Sequence, residues 1–282
     1  MTTPKDQFPR TTDLPSQSPL FWVSQKDRYL RQILLRDVQE LTKRKLIVYF
    51  ANRYENAQID QRDIALMAEL CRDIIGKPTD LMLETSGGLT DATEGLISLI
   101  QTILPDLRVI VANQAKSNGT LLGLAAKSIV MGATSELGPI EPSVQNIPCT
   151  ILSADEIKKQ NFPLHQVGVH ALQQTKALAK RLLTDGMMKG RPPQEIDDTV
   201  RKLSEKEVFF SHGSVINHVE AKNLGLTVEY LPPDNDVWQR IWLMHCMYDH
   251  DCRRDKYLKV FEGAAISTSI AAPRPVPAAP AP

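Results

Sequence analysis

Apolar residues along this chain follow two rhythms. Short β-rich runs at 46–51, 81–83, 109–112 and 129–131 alternate with longer stretches in which apolar residues recur every three or four positions. The first helical stretch opens at Ser24, read as an N-cap with Asp27 three residues on. Leu30, Ile33, Leu34, Val38 and Leu41 line one face of it, with Lys26, Arg31, Arg36 and Glu40 opposite. Such a helix must dock on its own domain or on a neighbouring subunit. Asp60 and Asp63 open a second helix, which Gly76 and Pro78 close. A third spans 90–104 and stops at Pro105; a fourth, 117–126, is so rich in small and apolar residues that it should pack on all sides. Strand–helix alternation of this kind predicts βαβ units, a mostly parallel twisted sheet and right-handed crossovers. Active sites in such sheets lie at the carboxyl ends of the strands.

After Pro142 the pattern becomes helical. Ser153 and Glu156 predict a capping box for a short helix carrying Lys158 and Lys159. Helices follow over 169–185, ended by Gly186, and from Pro192-Pro193 to 206. Residues 208–213 read as a strand running into a turn, 218–226 as a short helix, 227–231 as a strand and 234–261 as one long helix. The expected organisation is a flexible arm over 1–19, a single domain over 20–263, and a disordered or extended Ala/Pro tail over 264–282.

Composition narrows the function. Lys and Arg together number 33, as do Asp and Glu, so no overall charge draws the chain to nucleic acid or to an anionic membrane. No stretch is long and apolar enough to span a bilayer, and the polar N-terminus has no signal-peptide core. Four scattered cysteines without a CxxC pair suit reduced thiols and a cytoplasmic location.

Two turns carry the candidate chemistry. The run at 81–83 ends in Thr85-Ser86-Gly87-Gly88, and the run at 109–112 leads to Ser117-Asn118-Gly119 at the mouth of a helix. A serine there is either a helix cap or a nucleophile beside unspent backbone N–H groups. The N–H of Asn118, with that of Gly87 or Gly88, could hold an oxyanion. His245, Cys246, His250 and Cys252 include a possible metal half-site, but no second pair accompanies it, and neither GxxxxGK[ST] nor GxGxxG occurs. No metal and no cofactor is expected.

Three motifs carry a family resemblance. ETSGG at 84–88 resembles a Gly-Gly oxyanion turn, AKSNGT at 115–120 a nucleophile turn, and SELGPIEP at 135–142 the signature that follows it. The segment FFSHGSVINHVEAKNLGL resembles a further family segment. Over roughly 45–230 the chain is similar to the Clp/SppA-like serine peptidases, and more narrowly to the serine dehydrogenase proteinases. The resemblance implies a ClpP/crotonase-like ββα superhelix, to which the helical pattern after Pro142 adds extra C-terminal helices, together with a peptide or protein substrate and a homo-oligomer, ring or dimer. It makes Ser117 the nucleophile and Gly87, Gly88 and Asn118 the oxyanion hole.

The general base stays open. Where Clp proteases place a histidine, this chain has Ile140-Glu141-Pro142. SppA-type enzymes use a later lysine, which points to Lys158; His212 falls near the third member of the Clp triad. A lysine serves as base only when desolvation lowers its pKa. Glu141 could orient either base or contact a neighbouring subunit. Two other functions fit the same fold, a crotonase-type acyl-CoA enzyme and a non-catalytic scaffold.

Overall fold

The computed structural model describes residues 18–145, 147–205, 209 and 211–272. The arm expected over 1–19 falls outside the described residues up to 17, and so does the tail beyond 272. In chain order the elements are α1 (Pro19–Ser24), α2 (Lys26–Thr42), β1 (Lys45–Ala51), α3 (Arg62–Cys71), β2 (Thr79–Glu84), α4 (Thr90–Ile103), β3 (Leu107–Val111), β4 (Gln114–Ala115), α5 (Asn118–Leu124), β5 (Ser128–Met131) and β6 (Glu136–Leu137). A hairpin of β7 (Ser143–Val144) and β8 (Ile147–Pro148) leads to α6 (Cys149–Leu152), α7 (Asp155–Gln160), α8 (Phe162–Asp185) and α9 (Pro193–Ser204). Then come α10 (His218–Asn223), β9 (Val228–Tyr230), α11 (Asp236–Asp255), β10 (Tyr257–Gly263) and β11 (Ser267–Ala271).

The main sheet has the order β11-β10-β1-β2-β3-β5-β9. From β1 to β9 every neighbouring pair is parallel, and β10 and β11 close the other edge antiparallel. Each parallel strand adds on the same side of the last. Right-handed crossovers therefore place α3, α4 and α5 on one face. Along β1, Ile47 and Tyr49 join the core beneath those helices, while Leu46, Val48 and Phe50 join the core formed with α2 and α11. Strands covered on both faces read as continuous apolar runs, which is why β1 and β2 were legible. Each such fully buried side chain contributes about 1.5–3 kcal/mol.

Four sequence-based expectations need correction. Ser24 does not cap α2: its hydroxyl donates to the Phe21 carbonyl (2.7 Å), and Gln25 precedes the helix without a side-chain cap. The helix docks on its own domain through Leu34, Leu35 and Val38, while Leu30 and Leu41 remain exposed. Arg31 fixes that rotation, pairing with Asp251 and, at 2.8 Å, with Glu262. Ser153 is no capping residue either; its hydroxyl donates to Thr150 O (3.0 Å), and Ala154 stands at the N-cap of α7. The long helix expected over 234–261 ends at Asp255, where Lys256 turns left-handed (φ 56°) and β10 begins. Finally, part of the expected tail forms β11, because Thr268 and Ile270 supply a β-branched alternation that pairs with β10.

Candidate active site

Neighbouring parallel strands bring their carboxyl ends together, so the turns after β2 and β3 meet. Thr85 bridges Ala115 in parallel: Thr85 N–H donates to Gln114 O and Lys116 N–H to Thr85 O, both at 3.0 Å. A small second sheet continues from there. β4 pairs in parallel with β6, and Leu137 exchanges two backbone hydrogen bonds of 3.0 Å with Ile216.

Ser117 sits between β4 and α5 with φ 53° and ψ −120°. For a non-glycine residue this is a sparsely populated conformation costing about 1–3 kcal/mol, held only where the surroundings over-determine it. The hydroxyl makes no capping bond to the helix, so the helix-cap role does not account for the serine. Lys116 O accepts from Gly119 N–H (2.7 Å) and Ser117 O from Thr120 N–H (2.9 Å), which tightens the turn.

The Gly-Gly turn is shaped to that serine. Gly87 has φ 111°, and a Cβ there would stand 2.8 Å from the Ser117 Cβ. A Cβ on Gly88 would fall 2.2 Å from the Ile59 nitrogen. Both positions admit only glycine, for reasons of close approach. The Gly87 N–H is spent on the Thr85 hydroxyl (3.1 Å). The Asn118 side chain joins the two turns, donating to Gly88 O at 2.5 Å. Gly88 N–H and Asn118 N–H, the latter in the first turn of α5, make no backbone bond among the described residues.

The candidate bases lie in different settings. Lys158 is exposed on α7, an environment that gives no desolvation. His212 is half-buried in the turn 211–214. That turn is tied to the residue before Ser117: Lys116 Nζ donates to Gly213 O (3.1 Å) and pairs with Glu136 Oε2 (2.8 Å). Of the expected strand leading into it, Val208 and Phe210 lie outside the described residues, and Phe209 packs against the core without belonging to a strand. Glu141 is buried and accepts from the Thr150 backbone N–H (3.3 Å) and hydroxyl, so its carboxylate is engaged with α6.

The Lys116–Glu136–Gly213 contact carries no signal in the sequence, although Lys116 lies in AKSNGT and Glu136 in SELGPIEP. Motif position alone does not reveal a pairing across β4 and β6. Under the sheet, Glu84 at the end of β2 accepts from Asn113 Nδ2 and Gln114 N–H, both at 3.1 Å. Burial pushes its carboxyl up to about 7, against those two hydrogen bonds and Arg53 and together with Asp249. His245 lies beside it, with Nδ1 3.5 Å from Glu84 Oε2. Burial lowers this imidazole to about 4, more than Asp249 raises it. Of the four residues with metal-ligand chemistry, His245 and Cys252 face inward and Cys246 and His250 outward. Among the described residues no three His, Cys, Asp or Glu side chains converge as a metal site, and no helix is long and apolar enough to cross a membrane.

The chain is similar to several known proteins. Two uncharacterized proteins of Methanocaldococcus jannaschii are 28% identical over 187 residues and 29% identical over 159 residues. The matches cover 63% and 54% of this chain but only 61% and 52% of those relatives. Among solved structures, a 1510-N membrane-bound stomatin-specific protease carrying a serine-to-alanine substitution is similar over 62% of this chain and 75% of its own, with TM-score 0.42 and 18% identity. A ClpP1 mutant from Listeria monocytogenes is similar over 71% of this chain and 98% of its own, with TM-score 0.45 and 15% identity. The family model of the ClpP-like SDH-type serine proteinases matches residues 53–259, spanning both turns, and the chain belongs to that family.

Proposed function

We propose that the protein hydrolyses peptide bonds, with Ser117 as nucleophile and the Gly88 and Asn118 N–H groups as oxyanion hole. The observation that carries this reading is the strained, uncapped Ser117 set directly against Gly87. A serine on a sharp strand-to-helix turn presents its oxygen outward, beside the first free N–H groups of the helix. Ser117 Oγ attacks the scissile carbonyl carbon and gives its proton to the base. The oxyanion draws on the two N–H groups, and the protonated base then passes the proton to the leaving amine. Water hydrolyses the acyl-serine by the same route. Loss of one oxyanion donor typically costs about 2.7–4 kcal/mol of transition-state stabilisation.

His212 is the favoured base, because its turn is tied to Lys116, next to the nucleophile. Lys116 itself stands in an ion pair, and Lys158 acts only if a substrate or a second copy of the chain covers it. The exposed Leu30 and Leu41, with Leu20, Phe21 and Val23 of α1, fit a homo-oligomer. An alkyl fluorophosphonate tests the core of this reading. It should phosphonylate Ser117 and leave Ser117→Ala unmodified, as read by peptide mass spectrometry. An unmodified parent protein would favour the crotonase-type or scaffold functions instead.

A further inference from the structure

Directly beneath the two turns lies a carboxylate that the hydrolytic mechanism does not use. Glu84 is the last residue of β2, one position before the turn that supplies the oxyanion donor, and is 2% exposed. Its side chain points to the face of the sheet covered by α11, away from substrate. Oε1 accepts from the Asn113 side chain and Oε2 from the Gln114 backbone N–H. Gln114 opens β4, the strand that ends at the nucleophile turn. It also bonds the Gly-Gly side, donating from Nε2 to the Ser86 hydroxyl (3.0 Å) and accepting from Thr85 N–H.

We propose that Glu84 is a positioning residue for this site, setting the spacing between the oxyanion turn and the nucleophile turn by holding Asn113 and Gln114 against the end of β2. This rests on the reading of Ser117 as nucleophile. Between Val111 and Gln114 the chain leaves β3 and re-enters pairing as β4. Thr85 and Gln114 join through a backbone bond on one side, and Glu84 adds the contacts from below. A shift of that segment would carry Ser117 away from the Gly88 N–H.

The surroundings make the clamp sensitive to protonation. The groups facing Glu84 are Arg53 from the turn after β1 and His245 and Asp249 from α11. An ionised carboxylate is an acceptor only and holds both donors. Once protonated it acquires a donor. The neutral His245 Nδ1, buried and without a hydrogen-bond partner, then offers it an acceptor, 3.5 Å from the oxygen that otherwise serves Gln114. Phe50 and Trp242 enclose the imidazole, with ring centroids at 5.7 and 5.1 Å. Ionisation thus strengthens the bond to Gln114, and protonation diverts it.

Glu84→Gln separates positioning from folding, since the amide keeps the shape but lacks the second acceptor. The measurement is the second-order rate of Ser117 phosphonylation by an alkyl fluorophosphonate, taken from pH 5 to 9 on the full chain, beside the thermal midpoint. At pH 8–9, where the parent carboxylate is ionised, Glu84→Gln should label about ten- to a hundredfold more slowly, the loss expected from misplaced reacting groups, and the two rates should converge towards pH 5. Its midpoint at pH 8 should be no lower than the parent's, because a buried charge is removed. The ratio of parent to Glu84→Gln rate should rise through neutral pH, as should the ratio of parent to Glu84→Ala, because any step from the general base is common to all three and cancels in the ratio. Glu84→Gln labelling at the parent rate across that range would overturn the positioning role while leaving Ser117 as nucleophile. No labelling of the parent would overturn both.

Discussion

The two halves of the candidate site are built differently. The half proposed to carry the nucleophile and oxyanion hole, residues 84–119, is held chiefly by backbone: parallel bridges, two glycines in forced contact, and a serine kept at positive φ, with the Glu84 and Asn118 side chains added. The half that must supply a base is held more sparsely, by one lysine side chain and one backbone bridge. The turn 211–214 is fastened by the Lys116–Gly213 contact and by the bridge at Ile216, and α7 presents Lys158 to solvent. Backbone geometry tolerates almost no change in residue type, whereas an attachment through one lysine can be cut without disturbing the sheet. Oxyanion stabilisation depends on donors already in place, so rigidity belongs there. A base need only reach the hydroxyl, and apo geometry is often looser at that contact.

The sharpest way to break this contrast is to put a methyl group into each half. Gly88→Ala drives a Cβ to 2.2 Å from the Ile59 nitrogen and should lower fluorophosphonate labelling by a hundredfold or more. Gly213→Ala meets nothing closer than the Ser211 hydroxyl at 3.7 Å and should stay within about twofold of the parent. Equal sensitivity at both positions would end the distinction. Next in size, His212→Ala should reduce peptide hydrolysis by about 10²–10⁴, the usual contribution of a general base. Lys158→Ala should change it far less in the isolated chain, and the reverse order would transfer the role to Lys158.

A smaller effect is expected for Lys116→Met, which leaves the Ser117 turn intact but loosens the 211–214 turn, still held by the bridge at Ile216. Hydrolysis should fall by about tenfold at nearly unchanged thermal midpoint, a misplacement of the base and not its removal. The last expectation concerns stability and pH, with no change in the chemistry at Ser117. His245 titrates near 4 in the fold against 6.5 unfolded, so its contribution is present above pH 6.5 and is lost as pH falls through 4. At 1.36 kcal/mol per unit this amounts to about 3 kcal/mol. Glu84 runs the other way: raised from 4.5 to about 7, its contribution is complete below pH 4.5 and is lost as pH rises through 7. Denaturant titrations of His245→Phe should show a flatter acid dependence between pH 4 and 6.5 than the parent.

Much of this was legible along the chain. The strands at 46–51, 81–83, 109–112 and 129–131 all form, because strands buried on both faces must be apolar throughout. The turns at Gly87-Gly88 and Ser117 stand out because backbone that approaches itself closely demands glycine and a sharp strand-to-helix junction. The reading failed where side-chain period was overruled by distant partners. Leu30 and Leu41 belong to the apolar stripe of α2, yet Arg31 turns the helix so that Leu34, Leu35 and Val38 face the sheet. Residues 257–261 continue the α11 pattern, yet β1 needed an antiparallel neighbour and recruited them as β10, with Tyr49 stacked on Phe261 at 4.7 Å.

The sequence by itself determined the order of strands and helices, the family, and the two turns that carry Ser117 and Gly88. These depend on local chemistry: which residues tolerate burial, close approach or positive φ. Only the tertiary structure decided that Glu84 lies under the join between those turns and that Lys116 reaches Gly213 across β6. Only it exposed Lys158 and half-buried His212. Those relations depend on which side chains meet across 20 or more positions of sequence, and the folded sheet alone specifies that.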